Sequence, residues 1–270
     1  MSGSGEAFRR AKAEGRAALV GYLPAGFPSY DGAVDALRAI TDAGVDLVEI
    51  GLPYSDPVLD GPVIQAATQR ALAGGTRTRD VLRTVEVVAA TGTPVLVMTY
   101  WNPVLRYGVA AFARDLAAAG GSGLITPDLI PDEAGEWLTD SGDLDRVFLV
   151  APSSTPERIA STTAACRGWI YAASTMGVTG ARTATSRVAP ALVERVRAAS
   201  DLPVGVGLGV STGDQAAEVA GYADGVIVGS ALVRCLLDAA DEAAGVAAVG
   251  ALTAELAAGV RRPAAVPEVK

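Results

Sequence analysis

"DAGVDLVEIG", residues 42–51, is the stretch that decides the fold. Its first half reads as a helix end with a glycine stop, its second as a short and almost wholly apolar strand. The phrase returns in altered form as "AAGGSGLITPD" (118–128) and "AGYADGVIVGS" (220–230). A helix end, a glycine and a buried strand, used repeatedly, imply parallel strands joined by right-handed crossovers. Strand candidates lie at 17–23, 46–51, 94–100, 122–128, 146–151, 168–173, 202–208 and 225–230. Helical patterns fill 30–43, 62–73, 78–91, 108–119, 131–140, 156–165, 188–199 and 213–220, with a last one over about 234–258. Thr155-Pro156-Glu157 puts proline at a first helical position, and Ser211 or Thr212 precedes another start. Continuous apolar strands suit a sheet covered on both faces. Eight such units favour an α/β fold of the closed (β/α)8 TIM-barrel type over an open doubly wound sheet.

The length agrees, because 270 residues is an ordinary size for one such barrel. No composition break divides the chain, so a single domain over 1–270 is expected. Residues 1–5 and 263–270 read as loose ends, and an extra N-terminal helix within 1–16 as a cap on the barrel's bottom. Arg9, Arg10, Lys12 and Arg16 before "AALVGYLPAG" imitate a signal peptide. Glu6 and Glu14 interrupt that basic region and Pro24 ends the apolar run, so a helix and a first strand are the better reading. No apolar run approaches the ~20 residues of a membrane span. Cys166 and Cys235 lie far apart without metal-site spacing and read as free thiols in a reducing, cytoplasmic setting.

The chain contains no histidine, which excludes Ser-His-Asp and Cys-His catalysis and His-based zinc sites. Acid–base chemistry falls to Asp, Glu, Lys, Tyr or Cys. The net charge is −8 and no basic stripe exists, which argues against nucleic-acid binding.

Side chains alternate along a strand. In "DLVEIG", Val48 and Ile50 suit the face against the outer helices, so Glu49 points into the barrel near its C-terminal mouth. Barrel enzymes place their chemistry at that mouth. Lys and Arg are missing from the inward positions of the other strands, so a salt-bridge partner is hard to find. A half-buried carboxyl favours its neutral form and is a usable acid near neutral pH. Asp60 follows in the next loop, just before "GPVIQ" (61–65), where a plain N-cap and a catalytic role are equally open. Asp56, in "SDP" (55–57), reads as a turn former.

Glycine-rich segments follow the last three strand candidates: "MGVTGART" (176–183), "GLGVSTG" (207–213) and "VGSALV" (228–233). Gly180, Gly209 and Gly229 let backbone N–H groups approach an anion, and Ser230 stands where a short helix begins. Together they read as a phosphate site, with simple tight turns as the plainer alternative. "GVGLGVSTG" (205–213) lacks dinucleotide spacing and lies late in the chain. Residues 176–187 have the composition of a lid that closes over ligand.

These motifs resemble the tryptophan synthase α-subunit family. "EIGLPYSDPVLDGPVIQ" (49–65) looks like its signature, with Glu49 and Asp60 on the two catalytic carboxylates. "YWNPVLRYG" (100–108), "PDLIPDEA" (127–134), "LVAPSSTPERI" (149–159), "YAASTMGVTGAR" (171–182), "GLGVST" (207–212) and "GSALV" (229–233) follow in the same order. The likeness runs from about Phe8 to Gly259. It implies retro-aldol cleavage of indole-3-glycerol phosphate to indole and glyceraldehyde 3-phosphate, without metal or cofactor in this chain. It also implies a PLP-dependent β subunit as partner, in an α2β2 assembly. By the same resemblance Tyr22 and Met98 would line an indole pocket and Tyr171 would lie near Glu49. Thr179 would orient Asp60, and Gly180, Gly209, Gly229 and Ser230 would hold phosphate. Tyr54, Leu59 and Trp169 depart from the family's pattern, and Trp169 puts the pocket's shape in question. The other readings are a sugar-phosphate isomerase barrel, a non-enzymatic activating subunit and a free-standing indole-releasing lyase.

Overall fold

A computed structural model describes residues 3–173 and 188–262 of the chain. Eight parallel strands close into a barrel in sequence order. They are β1 (Ala18–Pro24), β2 (Leu47–Gly51), β3 (Val95–Met98), β4 (Gly123–Thr126), β5 (Asp145–Val150), β6 (Ile170–Ala173), β7 (Val204–Gly207) and β8 (Gly225–Val228). Pairing of β1 with both β2 and β8 completes the ring. Around it run α1 (Ser4–Ala13), α2 (Tyr30–Asp42), α3 (Pro62–Ala73), α4 (Thr78–Ala89), α5 (Trp101–Tyr107) and α6 (Val109–Ala118). The ring of helices continues with α7 (Gly135–Asp140), α8 (Pro156–Ala165), α9 (Val188–Arg197), α10 (Gly213–Ala220), α11 (Ser230–Leu237) and α12 (Glu242–Val260).

Every expected strand is present, because an apolar run with a glycine or proline boundary has little alternative between two covering layers. Helix caps follow local chemistry. Thr155 and Thr212 accept from the amides of Arg158 and Gln215. The pattern at 234–258 is two helices, α11 and α12, divided where Asp241 caps α12 by accepting from Ala244 N at 2.8 Å. α5 was not expected; Pro103 lies in its first turn, where a missing N–H costs nothing. The helix expected at 131–140 is a 3-10 turn at Pro131–Glu133 followed by the short α7.

Two further differences concern the ends and the last helix. Ser4 and Gly5, expected to be loose, are buried in the first turn of α1, with the Ser4 amide and hydroxyl both donating to Asp145 Oδ2 at 2.6 Å. Residues 263–270 lie outside the described residues. α12 has 19 residues and is long and apolar enough to cross a membrane by length and composition, contrary to the expectation of no such run. Alanine and glycine make it apolar with little bulk, and it packs against α2, α10 and α11.

The alternation within β2 decides where function can sit. Val48 and Ile50 belong to the outer core beneath the helices, while Leu47 belongs to the inner cluster with Val20, Leu96, Ile125, Val147 and Ile227. α1 closes the bottom of that cluster: the Phe8 ring stacks on Trp169 with centroids 5.1 Å apart. Fully burying a side chain such as Phe8 contributes about 1.5–3 kcal/mol. Strand glycines make the room. A Cβ on Gly225 would stand 2.4 Å from Phe8 Cε1, and one on Gly205 2.8 Å from Trp169 Cζ3. Gly225→Ala is therefore expected to cost about 1–3 kcal/mol through overpacking, read as a lower urea midpoint at unchanged slope. An unchanged midpoint would mean that α1 does not fill the barrel floor.

Candidate active site

The inward alternation that buries Leu47 carries Glu49 one layer higher, to the mouth. Glu49 has 0% exposure, and neither carboxylate oxygen has a hydrogen-bond partner. Its register neighbours are Tyr22 on β1 and Leu96 on β3. With no donor or cation to hold the charged form, burial pushes the carboxyl up to about 8. The side chain is thus a carboxylic acid near neutral pH, with a proton to give.

A cavity opens above it. Tyr22, Glu49, Asp60, Met98, Tyr100 and Tyr171 line it, together with Gly209, Gly229 and Ser230. Tyr22 and Tyr171 are partly buried, and burial raises both phenols well above their ordinary value, with Glu49 nearby adding to it. Both rings lie against strand-end glycines. A Cβ on Gly51 would be 2.2 Å from the Tyr22 hydroxyl oxygen, and one on Gly207 2.7 Å from that of Tyr171. Trp169 does not line the cavity. It is fully buried below, its ring 5.7 Å from that of Tyr171, so its bulk shapes the floor through Tyr171 rather than the pocket itself.

Asp60 reaches the same cavity from the β2–α3 loop. The N-cap of α3 is Gly61, with no side-chain cap bond, so Asp60 is not the helix cap that its position allowed. The Tyr100 hydroxyl holds the loop beside it, accepting from the amide of Leu59 at 3.0 Å. Burial raises the Asp60 carboxyl, and the nearby Tyr100 hydroxyl partly offsets this. Asp56 is exposed and accepts from Ser55 Oγ at 2.5 Å, as a turn former does. Leu59 is 45% exposed and lines the rim. Tyr100 is the residue that motif reading passed over, although it opens the quoted "YWNPVLRYG".

Of the glycines lining the cavity, Gly209 adopts φ +80°, which glycine tolerates at no cost. Gly229 precedes α11, whose first residue, Ser230, is 9% exposed and lines the cavity. Gly209 and the start of α11, where a helix dipole has its positive end, therefore line the same cavity as the two carboxyls. Thr179, Gly180 and the lid expected at 176–187 lie outside the described residues. Cys166 and Cys235 are free thiols, and no metal-holding group of acidic, cysteine or histidine side chains occurs among the described residues.

A buried acid without a hydrogen-bond partner has a thermodynamic consequence. In the unfolded chain Glu49 ionises near 4.5, in the fold near 8. Between those values the folded state binds the extra proton, so stability falls as pH rises, by up to about 1.4 kcal/mol per unit. Urea midpoints of wild type and Glu49→Gln are expected to diverge across that window, the variant gaining relative to wild type as pH rises. Parallel curves would contradict a neutral buried Glu49.

The profile of the family described as "Tryptophan synthase alpha chain" matches residues 8–261. The tryptophan synthase alpha chain of Salinispora arenicola is 66% identical over 266 residues, covering 98% of this chain and all of that protein. That of Mycobacterium marinum is 62% identical over 260 residues, 96% of this chain and 94% of its own. Among solved structures, Mycobacterium tuberculosis tryptophan synthase superposes with a TM-score of 0.91 at 60% identity, covering 96% of this chain and 98% of that one. Tryptophan synthase subunit alpha from Legionella pneumophila gives 0.87 at 32% identity, covering 96% and 99%. The chain belongs to the tryptophan synthase alpha chain family.

Proposed function

We propose that Glu49 and Asp60 carry the reaction of this family in this chain. That reaction is cleavage of indole-3-glycerol phosphate in tryptophan biosynthesis, which makes the chain a carbon–carbon lyase. The observation that carries the assignment is the Glu49 carboxyl, fully buried and unbonded beneath a cavity with Asp60 on its wall.

The chemistry needs an electron sink at the indole ring. Glu49 gives its proton to indole C3, and the ring becomes an iminium. The bond between C3 and the side chain then breaks, its electron pair returning to the ring as the adjacent hydroxyl becomes the aldehyde. The Glu49 carboxylate takes that hydroxyl's proton and is restored. Asp60 accepts from the indole N–H and stabilises the positive charge growing on that nitrogen. Such acid–base assistance is worth ~100- to 10,000-fold. Tyr22, Met98 and Tyr171 enclose the indole, and Gly209, Gly229 and Ser230 hold the phosphate, with Gly180 joining them and Thr179 orienting Asp60. No step calls for a metal or an organic cofactor in this chain.

The product indole passes to a β subunit, in which PLP resides, within an α2β2 assembly of one domain per α chain acting in the cytoplasm. Indole release measured with β subunit titrated in tests this. Release that rises steeply with β subunit is expected. High unaided turnover unaffected by β subunit would mark a free-standing lyase, and no indole under either condition would remove the assignment.

A further inference from the structure

We infer that the Tyr22 hydroxyl binds the middle hydroxyl of the substrate's glycerol chain, which makes Tyr22 a specificity-determining residue as well as a wall of the indole pocket. The inference rests on the substrate reading given above, with the reacting carbon at Glu49 and the phosphate at Gly229 and Ser230.

The order of strands places Tyr22 on the substrate's path. β1 lies between β8 and β2 in the ring and pairs with both. Glu49 stands on β2, and Gly229 and Ser230 follow β8. The two carbinol carbons that join the indole ring to the phosphate-bearing carbon therefore cross the end of β1. Tyr22 continues the inward series of Ala18 and Val20 on that strand and lines the cavity.

The side chain spans the same gap. Tyr22 is the register neighbour of Glu49. At its base, a Cβ on Gly229 would stand 3.4 Å from Tyr22 Cβ and 3.2 Å from Cδ1. At its tip, the hydroxyl oxygen would lie 2.2 Å from a Cβ on Gly51. Gly51 is two residues beyond Glu49 on the same inward face, about 7 Å further along the strand. The hydroxyl thus stands one pleat above the acid.

That hydroxyl has no hydrogen-bond partner among the described residues. A phenylalanine would supply the same apolar wall, and an unpaired hydroxyl costs free energy once ligand displaces water from it. Other hydroxyls of the cavity are spoken for or out of reach: that of Tyr100 is engaged by the Leu59 amide at 3.0 Å, and that of Thr99 is buried. The substrate carries two hydroxyls between ring and phosphate. Glu49 takes the proton of the one beside the ring. The middle one survives into glyceraldehyde 3-phosphate, and the Tyr22 O–H donates to its oxygen. Holding that carbon fixes the rotation of the neighbouring carbinol against the indole ring, which a bond breaking into the ring's π system requires.

The test compares two ligands in the Glu49→Gln background with saturating β subunit, where binding is read without turnover. Indole-3-glycerol phosphate carries both hydroxyls and indole-3-propanol phosphate carries neither. Adding Tyr22→Phe is expected to raise Kd about three- to tenfold for the first and less than about twofold for the second. Tyr22→Leu, a second side chain without a hydroxyl, is read by the same ratio should the phenylalanine variant not fold. Tyr171→Phe, which removes another phenol of the cavity, is expected to leave the ratio unchanged. An unchanged ratio in the Tyr22 variants, or a change in Tyr171→Phe in its place, would overturn the inference and leave the proposed function standing. Failure of both ligands to bind before Tyr22 is altered would remove the substrate reading, and this inference with it.

Discussion

Glu49→Gln is expected to lower indole release at least a hundredfold while the phosphate end of the substrate still binds. The replacement preserves shape and removes the transferable proton from the one inward acid that has no other task. Glu49 makes no hydrogen bond and no ion pair in the barrel, so the substitution breaks no structural contact. Its loss falls on the proton transfers at C3 and at the side-chain hydroxyl, which general acid–base catalysis supports by ~100- to 10,000-fold. Single-turnover indole release and calorimetric binding of glyceraldehyde 3-phosphate separate the two effects. Wild-type turnover is also expected to decline as pH rises through about 8, where Glu49 gives up its proton before substrate arrives. Near-normal turnover of the variant would assign Glu49 a packing role only.

Asp60→Asn is expected to reduce kcat by about 100- to 1,000-fold, the range for removing one preorganised charge-stabilising group. The asparagine carbonyl still accepts from an indole N–H in the ground state, so KM is expected to move little. The negative charge opposite the growing iminium is gone, so the loss appears in the chemical step. Steady-state kinetics with saturating β subunit measures it. A rise in KM at unchanged kcat would mean that Asp60 only binds substrate.

The barrel was legible in the sequence because both faces of every strand are covered, which forces continuous apolar runs bounded by glycine or proline. Glu49 was legible for a related reason. Alternation along "DLVEIG" leaves only one orientation that places Val48 and Ile50 under the helices. Asp60 was ambiguous because an N-cap and a loop carboxylate share the same local sequence. The structure separates them through Gly61, which takes the cap, and through the cavity that Asp60 lines. Tyr100 itself carried no local signal. Its place depends on two loops meeting at the mouth, and the sequence reading ended the third strand on Tyr100 without giving the residue a role. Trp169 misled for the opposite reason. Residue size was read without its layer, and its layer is below the cavity, against Phe8. The division of α11 from α12 was missed because the break between them, 238–241, is only four residues long and two of those are alanine.

Both carboxyls owe their chemistry to what is missing around them. The residues lining the described cavity include no lysine, arginine or histidine. A cation beside Glu49 would hold it ionised and useless as an acid. The phosphate site proposed for this cavity would rest instead on backbone amides and a helix start, which attract an anion without a cationic side chain.

Infrared difference spectroscopy across a pH titration tests the protonation of Glu49 most directly. Subtracting Glu49→Gln from wild type isolates the carboxyl stretch of this one residue. A protonated-carboxyl band present at pH 7 and lost with a midpoint near 8 is the predicted result. A carboxylate band already complete at pH 6 would contradict it, since an ionised Glu49 has no proton to place on indole C3.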